Sequence, residues 1–353
     1  MTSGPIRVAA ADSPEGREAV ERLTARGGEI LDAQTLGRAA RIVDDVRRWG
    51  DFSLLQYARE LDGATARAVE ELALEPSPPS PLSHPHSPAP GRGGNLPVGF
   101  TEAMEEAIAA VERFHAPQVR QGYVQESDGV MLEERIEPLR RVGVYVPGGR
   151  AAYPSTVVMT VIPARVAGVA EIAVATPPGS WRSNAALRWT LARLGVREIW
   201  GMGGAHAVAA FAYGTETIRR VDKIVGPGNA WVTAAKKLVV GDVAIDGIAG
   251  PSEVVIVADA SAGSTDLAKD LAADLLSQAE HDPQAAAVLI TSDPSLASSV
   301  AEQVALQLES LATARTARAS LERYGSILLV GSMDETAELV NRIAPEHLQL
   351  IGI

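Results

Sequence analysis

The sequence predicts an α/β protein in which a helical region precedes two parallel-sheet units. Three observations carry this. From residue 141 onward, short apolar runs alternate with stretches of helix length. The alternation occurs as two series of similar size, joined near residues 246–251. Before them, residues 31–61 and 100–118 carry the apolar spacing of helices rather than strands. Strands with intervening helices of this length imply parallel sheets covered on both faces. The 353 residues, 46% hydrophobic and 22% charged, suit two domains and lie near the globular average.

Residues 1–30 read as an N-terminal extension. Its start, MTSGPIRVAAADSPEGRE, has no long apolar run, so neither a signal peptide nor a membrane span is expected. In residues 31–61, Leu31, Leu36, Ile42, Val43, Val46, Leu54, Leu55 and Leu61 recur near the helical period. Gly50-Asp51 interrupts them as a turn between two helices. Composition then shifts at residues 75–97, EPSPPSPLSHPHSPAPGRGGNLP. Repeated proline removes backbone donors and fixes φ, which makes this an exposed loop. His84 and His86 within it are read as solvated rather than as a metal pair. Residues 100–118 resume as an amphipathic helix carrying Met104, Ile108, Val111 and Phe114.

The first α/β series has strands at 142–146, 171–175 and 198–202, with helices at 155–168, 184–194 and 205–212. The second has strands at 253–258, 286–291 and 326–330, with helices at 266–281, 296–309 and 333–343. A cleft between two such units is the natural place for a ligand.

Composition narrows the chemistry. A net charge of −12 argues against a general nucleic-acid or anionic-membrane binder. With no cysteine there is no disulfide, thiolate metal site, iron–sulfur cluster or cysteine nucleophile, which also fits a cytoplasmic protein. Acid–base or soft-metal chemistry must draw on His115, His206, His281 and His347.

Gln278 and His281, three apart before Pro283, share one face of a helix end. Together they can supply two ligands to an ion such as zinc; a histidine near a helix C-terminus, interacting with the dipole, is the other reading. Ala344-Pro-Glu346-His347 sets a carboxylate beside an imidazole where a helix gives way to a strand. Such a pair suits proton abstraction, and an exposed charged turn is the alternative. Val146-Pro-Gly148-Gly149-Arg150 and Gly226-Pro-Gly228-Asn229 are loops that permit close backbone approach, or ordinary tight turns. Asn229 can cap a helix whose amides face an anion. Ser252 stands at the start of the second unit. The nearest match to a dinucleotide fingerprint, Gly201-Met-Gly203-Gly-Ala-His206, fails at its third glycine, so a nicotinamide cofactor does not follow from that pattern.

Taken in order, GVYVPGGRAAYPS, GGAHAVAAFAYGT, VDKIVGPGNAWV, AGPSEVVIVAD, LLSQAEHD and APEHL closely resemble histidinol dehydrogenase, from about Thr35 to the end of the chain. The resemblance implies an NAD-dependent, zinc-containing enzyme that takes L-histidinol through L-histidinal to L-histidine. It implies two Rossmann-like parallel-sheet units with an N-terminal helical region, an aldehyde-dehydrogenase-like architecture. In that arrangement residues 141–247 form a nucleotide-side domain inserted into another made of residues 31–140 and 248–353. Position by position, Tyr145, His206 and Asn229 would contact the dinucleotide. Ser252, Gln278, His281 and His347 would bind substrate, and Gln278 and His281 would ligate zinc. Glu346 and His347 would be the acid–base pair. A homodimer is implied as well.

The chain departs from the family in three ways. His206 stands where the family places a glutamine, and the proline-rich loop replaces helix. Third, the chain ends at Ile353, whereas the family continues for roughly another domain, with further zinc ligands and a substrate-binding carboxylate, partly across a swapped dimer interface. Two further readings accompany these departures: a paralogue that oxidises another small polar alcohol, and a non-catalytic truncated subunit.

Overall fold

The computed structural model describes residues 4–26, 31–75, 96–148, 153–248, 250, 252–259 and 266–352. The tract at 76–95, with His84 and His86, lies outside them, as do Gly149 and Arg150. The chain divides into a terminal unit, Met1–Ile30 with Ala249–Ile353, and a central unit, Leu31–Ile248.

The chain opens with β1 (Arg7–Ala10) and α1 (Pro14–Ala25), both in the terminal unit. Ser13 starts α1 as N-cap, its hydroxyl accepting from the Gly16 amide, and Pro14 takes the first helical position.

The central unit begins with α2 (Ala33–Asp62), capped by Asp32. Its one non-helical residue is Gly50, at φ 48° and ψ −126°, where the sequence places a turn. At this positive φ a side chain would be strained, and a Cβ would also have to push the Glu216 carboxylate aside, so the kink favours glycine. Then come α3 (Phe100–His115), the hairpin of β2 (Tyr123–Ser127) and β3 (Val130–Glu134), β4 (Arg141–Tyr145) and α4 (Pro154–Val166). After them follow β5 (Glu171–Thr176), α5 (Pro178–Ser183), α6 (Ala185–Arg193), β6 (Glu198–Gly201) and α7 (Gly204–Tyr213). The unit ends with β7 (Lys223–Val225), α8 (Ala230–Val239) and β8 (Ala244–Ile245).

Five strands form a parallel sheet in the order β6-β5-β4-β7-β8. One face packs Val144 and Val174 against α3, α4 and α6 through Met104, Ile108, Val161, Leu187 and Leu191. The other packs α7 and α8, with α2 outside them through Ala39, Ile42, Val43, Val46, Leu54 and Ala58. Residues 31–140 thus lie in one compact unit with 141–248. The cause is α7, in which every residue from Ala205 to Ala212 is buried. A helix that is apolar all round needs a further layer over it, and α2 is that layer.

The terminal unit continues with β9 (Glu253–Ala258), α9 (Leu267–Ala279), β10 (Ala286–Thr291) and α10 (Pro294–Ser310). It is completed by α11 (Ala314–Tyr324), β11 (Ser326–Leu329), α12 (Met333–Ile343) and β12 (His347–Ile351). Its sheet is also all parallel, in the order β1-β11-β10-β9-β12. Alternate residues serve opposite faces: Val254 and Ile256 pack with α9 and α10, Val255 and Val257 with α1 and α12. The N-terminal extension thus supplies an edge strand and a covering helix.

Candidate active site

In the terminal unit, the sheet register gathers the residues expected to carry chemistry. Strands β9, β10 and β12 run parallel, so their first residues share one edge. His347 pairs with Val254 and Ala286 with Glu253. Ser252 lies just outside β9, and its carbonyl accepts from the Ala286 amide at 3.2 Å. The connection from α9 to β10 arrives at the same edge with Gln278 in the last helical turn and His281 after it; the His281 amide donates to the Gln278 carbonyl at 3.3 Å. Ser252 and Gln278 are half-buried, and His281 is exposed.

Glu346 and His347 are adjacent at this edge, with Oε1 and Nε2 3.8 Å apart and both side chains more than half exposed. Ala344, which ends α12, sits in the left-handed region at φ 49° and ψ 58°. That conformation is unfavourable for a residue with a Cβ. The chain thus turns sharply before Pro345 and delivers Glu346 to the strand start.

In the central unit, the expected cofactor residues lie at the opposite, carboxyl ends of the strands. Strand order reverses between β4 and β7, and Tyr145 ends β4 while Gly226 follows β7. The crevice at such a reversal is where open α/β sheets bind ligands. The Tyr145 hydroxyl accepts from the Gly204 amide at 3.2 Å. Burial pushes the phenol up to about 12; the Gly204 hydrogen bond opposes this and the Asp62 charge adds to it. Asn229 is exposed and caps α8, its Oδ1 accepting from the Trp231 and Val232 amides at 3.1 and 3.2 Å.

His206 is fully buried in the first turn of α7. Its Nε2 lies 2.8 Å from Asp62, which also accepts from the Gly203 amide, and its ring stacks on Tyr57. Its Nδ1 has no hydrogen-bond partner among the described residues.

Sequence reasoning missed the supporting residues. Lys236, 4% exposed, reaches from α8 to Asp246 Oδ1 at 2.6 Å and to the Gly226 carbonyl at 2.5 Å. Asp246 Oδ2 in turn accepts from the Gly226 amide at 2.7 Å. A lysine on the buried side of an otherwise apolar helix was the available signal. Asp62 gave none, since it acts across a long sequence separation.

A cavity of about 390 Å³ opens at the amino ends of β4, β5 and β6, beside a knot of Arg141, Glu171, Glu198 and Arg219. None of the residues expected from the sequence lines it.

The family model described as histidinol dehydrogenase matches residues 28–352. The histidinol dehydrogenase of Methanothermobacter thermautotrophicus is 46% identical over 320 residues, covering 90% of this chain and 71% of that protein. Histidinol dehydrogenase 2 of a Nostoc species is 45% identical over 331 residues, with the same shares covered. A crystal structure of histidinol dehydrogenase from Elizabethkingia anophelis superposes with a TM-score of 0.82 at 30% identity, over 99% of this chain and 76% of that one. A match of this extent to one family, with the family's motifs standing in order, leads to one conclusion: the chain belongs to the histidinol dehydrogenase family.

Proposed function

We propose that the chain oxidises L-histidinol through L-histidinal to L-histidine, with NAD as electron acceptor and Glu346 and His347 as the acid–base pair. Histidinol oxidation in histidine biosynthesis is the chemistry of its family. The observation that carries the residue assignment is the register of β9 and β12, which brings Ser252 and Glu346-His347 to one sheet edge.

The central unit fits a dinucleotide. Tyr145 and the Gly226-to-Asn229 loop lie where the strand order reverses, Asn229 is exposed at the start of α8, and the buried His206 Nδ1 has no hydrogen-bond partner among the described residues. Tyr145, His206 and Asn229 would hold NAD, which supplies the hydride acceptor in each oxidation.

The described residues do not complete a zinc site. Gln278 and His281 offer two donors, a tetrahedral ion takes three or four protein ligands, and no group of three His, Cys, Asp or Glu comes together among the described residues.

In the first oxidation His347 takes the hydroxyl proton as the carbinol carbon loses hydride, which leaves the aldehyde. In the second, Glu346 takes a proton from water as its oxygen adds to the aldehyde carbon. The anionic hydrate then loses hydride, and the carboxylic acid so formed releases its proton to solvent as the carboxylate. With no cysteine in the chain, water rather than a thiolate must supply that bond.

The test is NADH formation from L-histidinol, expected at two NADH per L-histidine. His347→Ala is expected to lower kcat by a factor of about 10²–10⁴ with KM nearly unchanged. Turnover of another polar diol but not of L-histidinol would overturn the substrate. Wild-type turnover in His347→Ala would overturn the residue assignment. The homodimer is part of the same proposal, and sedimentation measures it. Among the described residues no helix is long and apolar enough to cross a membrane.

A further inference from the structure

Four guanidinium groups meet two carboxylates in the cavity at the amino ends of β4, β5 and β6. Arg141, 3% exposed, starts β4, while Glu171 and Glu198 start β5 and β6. Arg141 Nη1 lies 3.0 Å from Glu171 and its Nη2 2.5 Å from Glu198, and Arg219 also pairs with Glu171. Hydrogen bonds from Arg219 and Arg141 hold the Glu171 carboxyl down. Burial pushes the Glu198 carboxyl up, and Arg141 and Trp200 more than reverse it. Both carboxylates are therefore ionised and already paired.

The two other arginines have no such partner. Arg165, in the last turn of α4, and Arg197, just before β6, are exposed and form no ion pair or side-chain hydrogen bond among the described residues. Arg165 reaches the turn after α6: its Nη2 would stand 3.8 Å from a Cβ on Gly195, which comes shortly before Arg197. Partial burial and then the Arg193 charge pull the Arg165 guanidinium down, and only Glu112 opposes them. The buried Arg141 Nε also has no hydrogen-bond partner among the described residues. Helices α4 and α6 end beside the cavity, and each C-terminus counts as about half a negative charge. The excess of guanidinium groups over carboxylates outweighs these ends and leaves the cavity positive by about one charge, in a chain of net charge −12.

We propose that this cavity binds a phosphate monoester through Arg165 and Arg197. One phosphate group presents three acceptor oxygens and close to two negative charges at a single point, which suits two guanidinium forks at one turn. The volume of about 390 Å³ leaves room for the organic part. A dicarboxylate spreads its charges apart and fits one turn less well. Tyr145 and Gly226 lie at the opposite ends of the strands, so this site is separate from the proposed cofactor edge and does not rest on the dehydrogenase reading.

The test is calorimetric titration of the full chain with glycerol 3-phosphate, with inorganic phosphate and succinate in parallel. One glycerol 3-phosphate per chain is expected, at millimolar affinity or tighter, and bound more tightly than either of the other two. The double variant Arg165→Ala/Arg197→Ala is expected to weaken binding at least about tenfold. Arg318→Ala, which removes an exposed arginine on α11, is expected to leave it unchanged. Arg197→Glu alone, which reverses one charge at an exposed position, is expected to abolish binding with an unchanged melting temperature. No saturable binding to wild type, or wild-type affinity in the double variant and in Arg197→Glu, would overturn the proposal. Inorganic phosphate binding as tightly as glycerol 3-phosphate would overturn the monoester. Succinate binding as tightly would overturn the choice of phosphate.

Discussion

Asp62 holds His206 and the start of α7 together: its Oδ2 lies 2.8 Å from both the His206 Nε2 and the Gly203 amide nitrogen. The imidazole is fully buried and the carboxylate nearly so. Asp62→Ala strands a buried ring nitrogen and a backbone donor without partners, each costing on the order of 1–3 kcal/mol. A loss of about 3 kcal/mol in unfolding free energy is expected, read from the urea midpoint at constant slope. Asp62→Asn, which keeps one acceptor oxygen, is expected to lose less than half as much.

Tyr145 gives a pH dependence with a definite sign. Its phenol stays protonated to about 12 in the folded chain, against an ordinary value of 10.0, chiefly because it is buried. The folded state therefore binds more protons than the unfolded state between these values, and stability falls as pH rises through that window. The contribution is complete below pH 10 and lost by about pH 12. Tyr145→Phe cannot ionise, so its stability is expected to decline less over this range, by roughly 2 kcal/mol. Parallel alkaline unfolding curves for the two proteins would refute this.

Gly226 is locked on three sides. It sits at φ +112°, a Cβ there would lie 2.1 Å from the Tyr145 carbonyl oxygen, and Asp246 and Lys236 hold its amide and carbonyl. Gly226→Ala must move the loop or strain it, and a loss of at least 2 kcal/mol is expected. Lys236→Met removes the cation that joins Asp246 to the Gly226 carbonyl; since Asp246 stays exposed to water, a cost of about 1 kcal/mol is expected. Because this loop leads to Asn229, both variants are expected to raise the KM for NAD more than that for L-histidinol.

How far the sequence revealed this structure can be seen element by element. Strands 253–258 and 286–291 were legible to the residue, because a strand buried on both faces reads as one unbroken apolar run. The kink at Gly50 was legible from its interruption of the helical period. The hairpin of β2 and β3 was not, since every residue in it is exposed and no burial pattern marks it, although Asp128-Gly129 is a turn signal. The partner of α2 was hidden for another reason: an apolar stripe says that a helix is covered without saying by what. Among the candidate site residues, the motifs named Glu346, His347 and Asn229. Asp62 and Asp246, which hold His206 and the Gly226 loop, are set by tertiary contacts that leave no spacing in the chain.

Ala344 stores strain just before the sheet edge that carries Glu346 and His347. Its left-handed backbone, φ 49° and ψ 58°, closes α12 and comes just before Pro345 and Glu346. A residue with a Cβ pays roughly 1 kcal/mol there relative to glycine. Ala344→Gly is therefore expected to stabilise the terminal unit by up to about 1 kcal/mol, visible as a higher urea midpoint. Glycine also widens the backbone choices of the segment that delivers Glu346 and His347, so kcat is expected to fall two- to fivefold while KM holds. A rise in stability with unchanged kcat would show that the turn is simply strained. A fall in stability would show that the chain-entropy cost of glycine outweighs the relief of the left-handed alanine.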